Sequence, residues 1–133
     1  MRKQWFAAAA LALLGAVAVA QTDIAGFVGT WNGTWEGGGS GRFDLTIERG
    51  GDGQPSGGVS VGTDQGDYTA KFKELSFDGQ SMKARYEFPL DSQADVTVAG
   101  TFNGGSAEGT WSLVAKGGDQ AFAGGTWKVS KKL

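Results

Sequence analysis

Glycine clusters divide most of this sequence into short segments, and this punctuation limits the possible fold more than any other feature. Glycine adopts positive φ angles without steric cost, so such clusters are typical of turns and bulges. The segments between them alternate apolar and polar residues too regularly for a disordered chain. The clusters are Gly37-Gly38-Gly39-Ser40-Gly41, Gly50-Gly51-Asp52-Gly53, Gly57-Gly58, Asn103-Gly104-Gly105, Gly117-Gly118 and Gly124-Gly125.

The alternation has a period of two, which places successive side chains on opposite faces of a β-strand. A change of parity predicts a β-bulge near Lys73 and Glu74, and a second change falls at Gly124-Gly125. Asp78-Gly79 and Asn103-Gly104 predict hairpin turns. The predicted inward sets are Phe27 to Trp35, Phe43 to Ile47, Val59 and Val61, Tyr68 to Phe77 across the bulge, Met82 to Phe88, Val96 to Phe102, Ala107 to Ala115, and Phe122, Trp127 and Val129.

These segments predict an all-β fold of eight strands, each with one face in water. An eight-strand antiparallel up-and-down barrel, lipocalin-like or avidin-like, satisfies this pattern because closure removes the exposed sheet edges. The interior of such a barrel holds side chains or one small ligand. A two-sheet β-sandwich is the alternative, since it would bury the same residues and differ mainly in the pairing of the last strand.

The first twenty residues predict a cleavable secretory signal peptide. Arg2 and Lys3 form a basic start, residues 5–17 form an apolar run, and Ala18-Val19-Ala20 fits the A-x-A cleavage pattern. A retained membrane anchor is the alternative, but the run is shorter than the roughly 20 apolar residues that span a bilayer. We therefore expect an exported protein, periplasmic or extracellular, with a single domain over residues 21–133 that begins at Gln21.

Composition narrows the partners and the chemistry. Of 12 basic and 14 acidic residues, signal cleavage removes Arg2 and Lys3 and leaves 10 basic residues and a net charge of −4. This charge disfavours nucleic acid and anionic membranes as partners. The sequence has no cysteine and no histidine, which excludes disulfides, thiol nucleophiles, thiolate metal sites and a histidine base. We expect no cofactor and no metal.

No arrangement of residues predicts catalysis, and we expect a protein that is not an enzyme. The glycine clusters contain no phosphate-binding motif. After Ser40, Arg42 stands where the G-x-S-x-G motif of a serine hydrolase needs glycine, and the sequence has no histidine to activate the serine. The loop residues Asp52, Asp64 and Asp67 lack the spacing of a calcium loop and are typical of turns. The carboxylates on strands are predicted to face outward and to pair with neighbouring cations on a wetted surface: Asp44, Glu48, Glu87, Asp95 and Glu108.

A Gly-Thr-Trp repeat supplies all four predicted interior tryptophans. It ends at Trp31, Trp35, Trp111 and Trp127, with a variant that ends at Phe102. Each copy places glycine and the aromatic residue on the inward face, where a glycine leaves room for an indole from a neighbouring strand. The repeat therefore indicates packing of a crowded barrel, and the alternative is that the indoles line an apolar ligand cavity.

Short motifs resemble known families. Gly29-Thr30-Trp31 near the start of the first strand resembles the G-x-W signature of lipocalins and related calycins, and residues 29–58 are loosely similar to the opening of avidin-type barrels. Most of the mature chain resembles modules common in secreted bacterial proteins, for which no general biochemical role is established. The segments that carry this resemblance are Gly57-Gly58-Val59-Ser60-Val61, Leu75-Ser76-Phe77-Asp78-Gly79, Val98-Ala99-Gly100-Thr101-Phe102 and Glu108-Gly109-Thr110-Trp111-Ser112.

The sequence therefore predicts a non-catalytic exported binding module for a small apolar molecule held in the barrel. The alternative is a protein-interaction module, such as an inhibitor of an exported enzyme, with a solid core and an exported protein as its partner. Two tyrosines are the only predicted inward residues with a polar tip, and they either cap the barrel mouth or orient a ligand. The candidate ligand-binding residues are Trp31, Trp35, Phe43, Tyr68, Tyr86, Trp111 and Trp127.

Overall fold

The computed structural model of the chain describes residues 23–132. The predicted signal peptide and its cleavage site before Gln21 lie outside the described residues. Within residues 23–132 there is no helix that could cross a membrane. The strands are β1 Gly29–Glu36, β2 Ser40–Arg49, β3 Pro55–Thr63, β4 Gly66–Lys71, β5 Glu74–Asp78, β6 Ser81–Glu87, β7 Ala94–Asn103, β8 Ser106–Ala115 and β9 Ala121–Lys131.

All nine strands belong to one antiparallel sheet that is curled into a half-barrel. Their order is β4-β3-β2-β1-β9-β8-β7-β6-β5, so strands that follow one another in sequence pair up-and-down, except β4 and β5, which are the two edges of the sheet, and β1 pairs with β9. The all-β, barrel-like fold predicted from the alternation is therefore confirmed. The strands form a single sheet and not the two sheets of a sandwich, because the last strand pairs with both β1 and β8.

The structure has nine strands instead of eight because the fourth predicted strand is divided where the bulge was expected. The backbone N–H of Phe72 donates to the Gly57 carbonyl on β3 at 2.9 Å, whereas that of Lys73 donates to the Arg85 carbonyl on β6 at 2.8 Å. Two successive residues thus bond to β3 and β6, the strands that lie next to the two opposite edges of the sheet. The chain itself joins the two edges at this point and keeps the sheet curled.

An ion cluster on the outer face of the sheet stabilises the point where the chain passes from β4 to β5. Asp95 on β7 is fully buried, and its Oδ2 lies 2.8 Å from both Lys73 Nζ and Arg85 Nε. Arg85 also donates from Nη2 to the Gly118 carbonyl at 3.0 Å, which ties in the loop between β8 and β9. The prediction that Asp95 lies on a wetted surface is therefore wrong, because the side chain of Arg85 and this loop cover the carboxylate.

Burial by itself would raise the pKa of Asp95, but the hydrogen bonds from Lys73 and Arg85 outweigh it and hold the pKa below its ordinary value. A carboxylate with a lowered pKa stabilises the fold above its unfolded pKa, and this contribution is lost as the pH falls through the folded pKa. Asp95 therefore contributes stability at neutral pH that begins to fall at its ordinary pKa of 3.8 and is lost below the lowered pKa of the folded state.

We expect Asp95→Asn to lower the free energy of unfolding at neutral pH by about 1–3 kcal/mol, because the two cations lose a charged acceptor. The difference from the wild type should be smaller at about pH 3, because below the ordinary pKa of 3.8 the unfolded wild-type chain takes up a proton at Asp95 before the folded chain does. Urea unfolding at both pH values measures it. Glu87→Gln is the control, since both members of the Glu87–Lys116 pair are half exposed and its loss should cost less than about 0.5 kcal/mol. Equal losses for both variants would contradict the assignment.

Most residues predicted to face inward do so, and the exceptions lie at one irregular pair of strands. Leu113 is opposite Ala123, but Val114 is opposite Ala121, so the register shifts and Phe122 is left without a partner residue. Phe122 was predicted to face inward and is instead 61% exposed. Ala115 was predicted to face inward and is exposed, whereas Val114 is buried. The parity change expected at Gly124-Gly125 lies at this bulge instead.

The glycine of the Gly100-Thr101-Phe102 variant of the repeat packs against an indole that lies two strands away in the sheet. A Cβ atom placed on Gly100 of β7 would overlap the ring of Trp127 on β9 and lie 2.6 Å from the Glu108 carbonyl oxygen. Trp127 is buried, and its Nε1 donates to the Thr110 carbonyl at 3.0 Å. The indole therefore occupies room that exists only because residue 100 has no side chain.

We expect Gly100→Ala to lower the free energy of unfolding by about 1–3 kcal/mol, because the added methyl group overpacks the Trp127 ring and the adjacent backbone. Gly105→Ala is the matched control, since a Cβ there meets nothing within 4 Å and the φ angle is not positive. Urea denaturation followed by tryptophan fluorescence measures both variants. Equal stability of Gly100→Ala and the wild type would show that the indole can move aside.

The end of the half-barrel where β1 begins is filled by aromatic side chains. Ile24 is buried, and Phe27 stacks on Phe77 with ring centroids 4.5 Å apart. Trp31 meets Phe102 edge to face at 4.8 Å, and its Nε1 donates to the Phe27 carbonyl at 3.0 Å. Ile24 and these four aromatic residues, which we call the aromatic plug, close this end of the half-barrel. The opposite end remains as the place where a ligand can enter.

Candidate ligand-binding site

An apolar cavity of about 110 Å³ lies inside the sheet at the end opposite the aromatic plug. Its walls come from seven of the nine strands and the residue after β6, so the cavity is surrounded by the curl of the sheet. The lining residues are Trp35, Phe43, Val61, Thr63, Tyr68, Tyr86, Phe88, Val96, Trp111 and Leu113. We refer to this space as the end cavity.

The structure brings five of the seven candidate residues together around the end cavity: Trp35, Phe43, Tyr68, Tyr86 and Trp111. It does not place Trp31 and Trp127 there. Trp31 is fully buried in the aromatic plug, and Trp127 fills the space above Gly100 and packs against Phe43 with centroids 5.5 Å apart. Of the four tryptophans of the repeat, these two are therefore core residues, and Trp35 and Trp111 line the end cavity.

Trp35 and Trp111 form a fixed aromatic wall of the end cavity. Their rings meet edge to face, with centroids 5.7 Å apart and an interplanar angle of 88°. Trp35 Nε1 donates to the Gly62 carbonyl at 2.9 Å, and Trp111 Nε1 donates to the Glu36 carbonyl at 3.1 Å. Because each indole N–H already has a backbone partner, the rings present apolar surface to the cavity.

Tyr68 on β4 and Tyr86 on β6 meet across the gap between the two edges of the sheet. Their hydroxyl oxygens are 2.8 Å apart, so one phenol donates a hydrogen bond to the other. Burial raises the pKa of both phenols, most strongly that of Tyr86, because the phenolate would lose its hydration. The pair therefore stays protonated and neutral over the whole ordinary pH range.

The other five lining residues were not among the sequence candidates: Val61, Thr63, Phe88, Val96 and Leu113. Four of them were predicted to face inward, and each lies near the strand end that borders the cavity. Alternation alone could not single them out, because it marks every inward residue equally along a strand. Their position near one end of an up-and-down meander is the signal that could have identified them.

The electrostatics of the end cavity exclude strong binding of an ion. None of the ten lining residues carries a formal charge. Within residues 23–132, no group of three or more acidic, histidine or cysteine side chains could hold a metal ion. An ionised ligand would lose its hydration without gaining a counter-charge, which is costly in an apolar space. The cavity suits a neutral, largely apolar molecule.

Together, the fold and the cavity define a small barrel-like β domain with an apolar pocket at one end and a filled core at the other. No model of a known protein family matches the chain, and no curated protein matches it either.

The two raised phenol pKa values can be tested directly, because the chain has only two tyrosines. We expect the ultraviolet absorbance of phenolate to stay flat through the ordinary pKa of 10.0 while the protein is folded, and to rise only when it unfolds. Above that pH the unfolded state releases these protons first, so stability should fall as the pH rises. Urea-unfolded protein, titrated in parallel, is the control. A reversible rise near pH 10 with unchanged circular dichroism would contradict the burial of the pair.

Proposed function

We propose that the protein is an exported, non-catalytic binding module that holds a small apolar molecule in the end cavity. The observation that carries this proposal is the convergence of five candidate aromatic residues around one uncharged space. Concave, mostly apolar pockets with a few placed polar groups are the usual form of small-molecule sites. Export rests on the predicted signal peptide in residues 1–20.

The size of the cavity limits the ligand. Drug-sized ligands occupy pockets of roughly 300–1,000 Å³, whereas an engineered apolar cavity of about 150 Å³ binds benzene. The end cavity, at about 110 Å³, therefore fits a molecule about the size of one six-membered ring. A longer ligand would have to extend through the mouth between the loops that follow β1, β3, β6 and β8.

A non-catalytic role is supported by the chemistry of the cavity walls. The chain has no histidine and no cysteine, and the lining adds no carboxylate or amine that could act as a base or nucleophile. The only ionisable groups in the lining are the two phenols, and burial raises the pKa of each. Groups that hold their protons this firmly are poor general bases at neutral pH.

Toluene is a suitable first probe, because it is neutral, apolar and about the size of the cavity. We expect a saturable change in tryptophan fluorescence on addition of toluene, since the rings of Trp35 and Trp111 form one wall of the binding space. Isothermal titration calorimetry gives the affinity independently of fluorescence. A strictly linear response up to the solubility of toluene would count against the proposal.

A filled-cavity variant tests where binding occurs. Leu113 lines the end cavity and Leu75 does not, although both are half-buried leucines packed against the core. We expect Leu113→Trp to weaken toluene binding by roughly tenfold or more, because the larger ring occupies the space, and Leu75→Trp to change it by less than roughly twofold. Calorimetry measures both. Equal weakening by the two variants would place binding elsewhere.

Exposed apolar residues at the same end favour a protein partner as the second candidate function. Phe122 at the start of β9 is 61% exposed, and Leu90 in the loop between β6 and β7 is 42% exposed. Leu90 lies in a loop at the open end of the meander and Phe122 lies next to one, and loops commonly carry binding residues. A pull-down from culture or periplasmic extract, with Phe122→Ser as the comparison, would support this role only if a stoichiometric protein is retained by the wild type alone.

A further inference from the structure

Most side-chain polar atoms around the end cavity already have hydrogen-bond partners within the protein. Within the lining they belong to Trp35, Trp111, Thr63, Tyr68 and Tyr86. Both indole N–H groups donate to backbone carbonyls, as described above. Thr63 Oγ1 donates to the Gly66 carbonyl at 2.6 Å and accepts from the Gln65 N–H at 3.0 Å. The tryptophans and the threonine therefore have no donor left for a ligand.

The tyrosine pair has one donor left. Two hydroxyl groups carry two protons, and the mutual bond of 2.8 Å uses one of them. Within residues 23–132, the bond between the two hydroxyls is the only hydrogen bond that either of them makes. The second proton therefore has no acceptor in the described part of the chain. The pair is partly buried, and a donor withdrawn from water without an acceptor costs free energy, so a partner from solution is favoured at this position.

We propose that the Tyr68–Tyr86 pair is the specificity determinant of the end cavity, and that it selects a neutral apolar molecule with one acceptor oxygen, such as a ketone or an ether. This inference rests on the proposed small-molecule function and deepens it. The mutual bond holds the two hydroxyls side by side, so the free proton lies at this pair whichever of the two phenols donates. The rest of the lining offers the ligand only apolar contact.

The uncharged lining and the protonated state of the tyrosine pair both favour a neutral ligand with an acceptor oxygen. A carboxylate ligand would find no cation among the lining residues and would be left uncompensated. Burial raises the pKa of both phenols, so the free proton remains available at any ordinary pH. A ketone keeps its acceptor oxygen at every pH as well, and its binding should therefore be independent of pH from acid to neutral.

Cyclohexanone and methylenecyclohexane form a matched pair of probes, because they share one ring shape and differ only in a carbonyl oxygen or a methylene group. Each is titrated into the purified wild-type chain and into Tyr68→Phe/Tyr86→Phe by isothermal titration calorimetry. The double variant removes both hydroxyls at nearly constant shape, which leaves neither partner unsatisfied and should be nearly neutral for stability. Comparing one ligand between two proteins cancels the different hydration of the two probes.

We expect the double variant to bind cyclohexanone roughly tenfold more weakly than the wild type, because the carbonyl loses its only donor. Methylenecyclohexane should change by less than roughly twofold. The single variants Tyr68→Phe and Tyr86→Phe guard against misfolding of the double variant. Each keeps one hydroxyl with a free proton, so at least one of them should bind cyclohexanone within roughly threefold of the wild type.

The outcomes separate this inference from the function on which it rests. If both probes bind and the double variant weakens neither, or weakens both equally, the cavity binds small molecules but the tyrosine pair does not select them, and the inference fails alone. If neither probe gives a saturable signal with the wild type, the proposed function fails and the inference fails with it. Loss of cyclohexanone binding in both single variants would also overturn the single-donor assignment.

Discussion

The narrow interior of the curled sheet is the constraint on which the rest of this structure depends. Several large aromatic side chains point inward, and a barrel of about eight strands has space only for side chains or one small ligand. Glycine resolves the conflict: Gly100 gives Trp127 its space, and a Cβ on Gly41 would approach Trp35 Nε1 to 2.9 Å. The positions of the Trp127 and Trp35 indoles therefore depend on the glycines beside them.

The two ends of the half-barrel use this room differently. At one end the segment before β1 inserts Phe27 beside Phe77, and the side chains fill the space. At the other end Trp35 and Trp111 are held against the wall by backbone carbonyls, and a cavity of about 110 Å³ remains between them and the tyrosine pair. The proposed function depends on this asymmetry, since a barrel filled at both ends could act only through its surface.

The sequence predicted the faces of the strands well, because alternation is a local property that each strand records by itself. It failed where neighbouring strands decide the outcome. Asp95 alternates like a surface residue, yet Lys73, Arg85 and the loop at Gly118 cover it. Phe122 alternates like a core residue, yet a register shift opposite Leu113 and Val114 leaves it exposed. Register is set by pairing between strands, which the pattern of one strand does not contain.

By itself the sequence determined the all-β class, the turns, the inward sets and the crowding that glycine relieves, because each follows from residue type and a period of two. Only the tertiary structure decided which inward residues meet. Tyr68 and Tyr86 are 18 residues apart, and the curl of the sheet brings their hydroxyls together across its two edges. The same curl places Trp35 and Trp111 at the cavity and leaves Trp31 and Trp127 in the core. These contacts depend on the curvature and register of the whole sheet, and no single segment of the sequence specifies either.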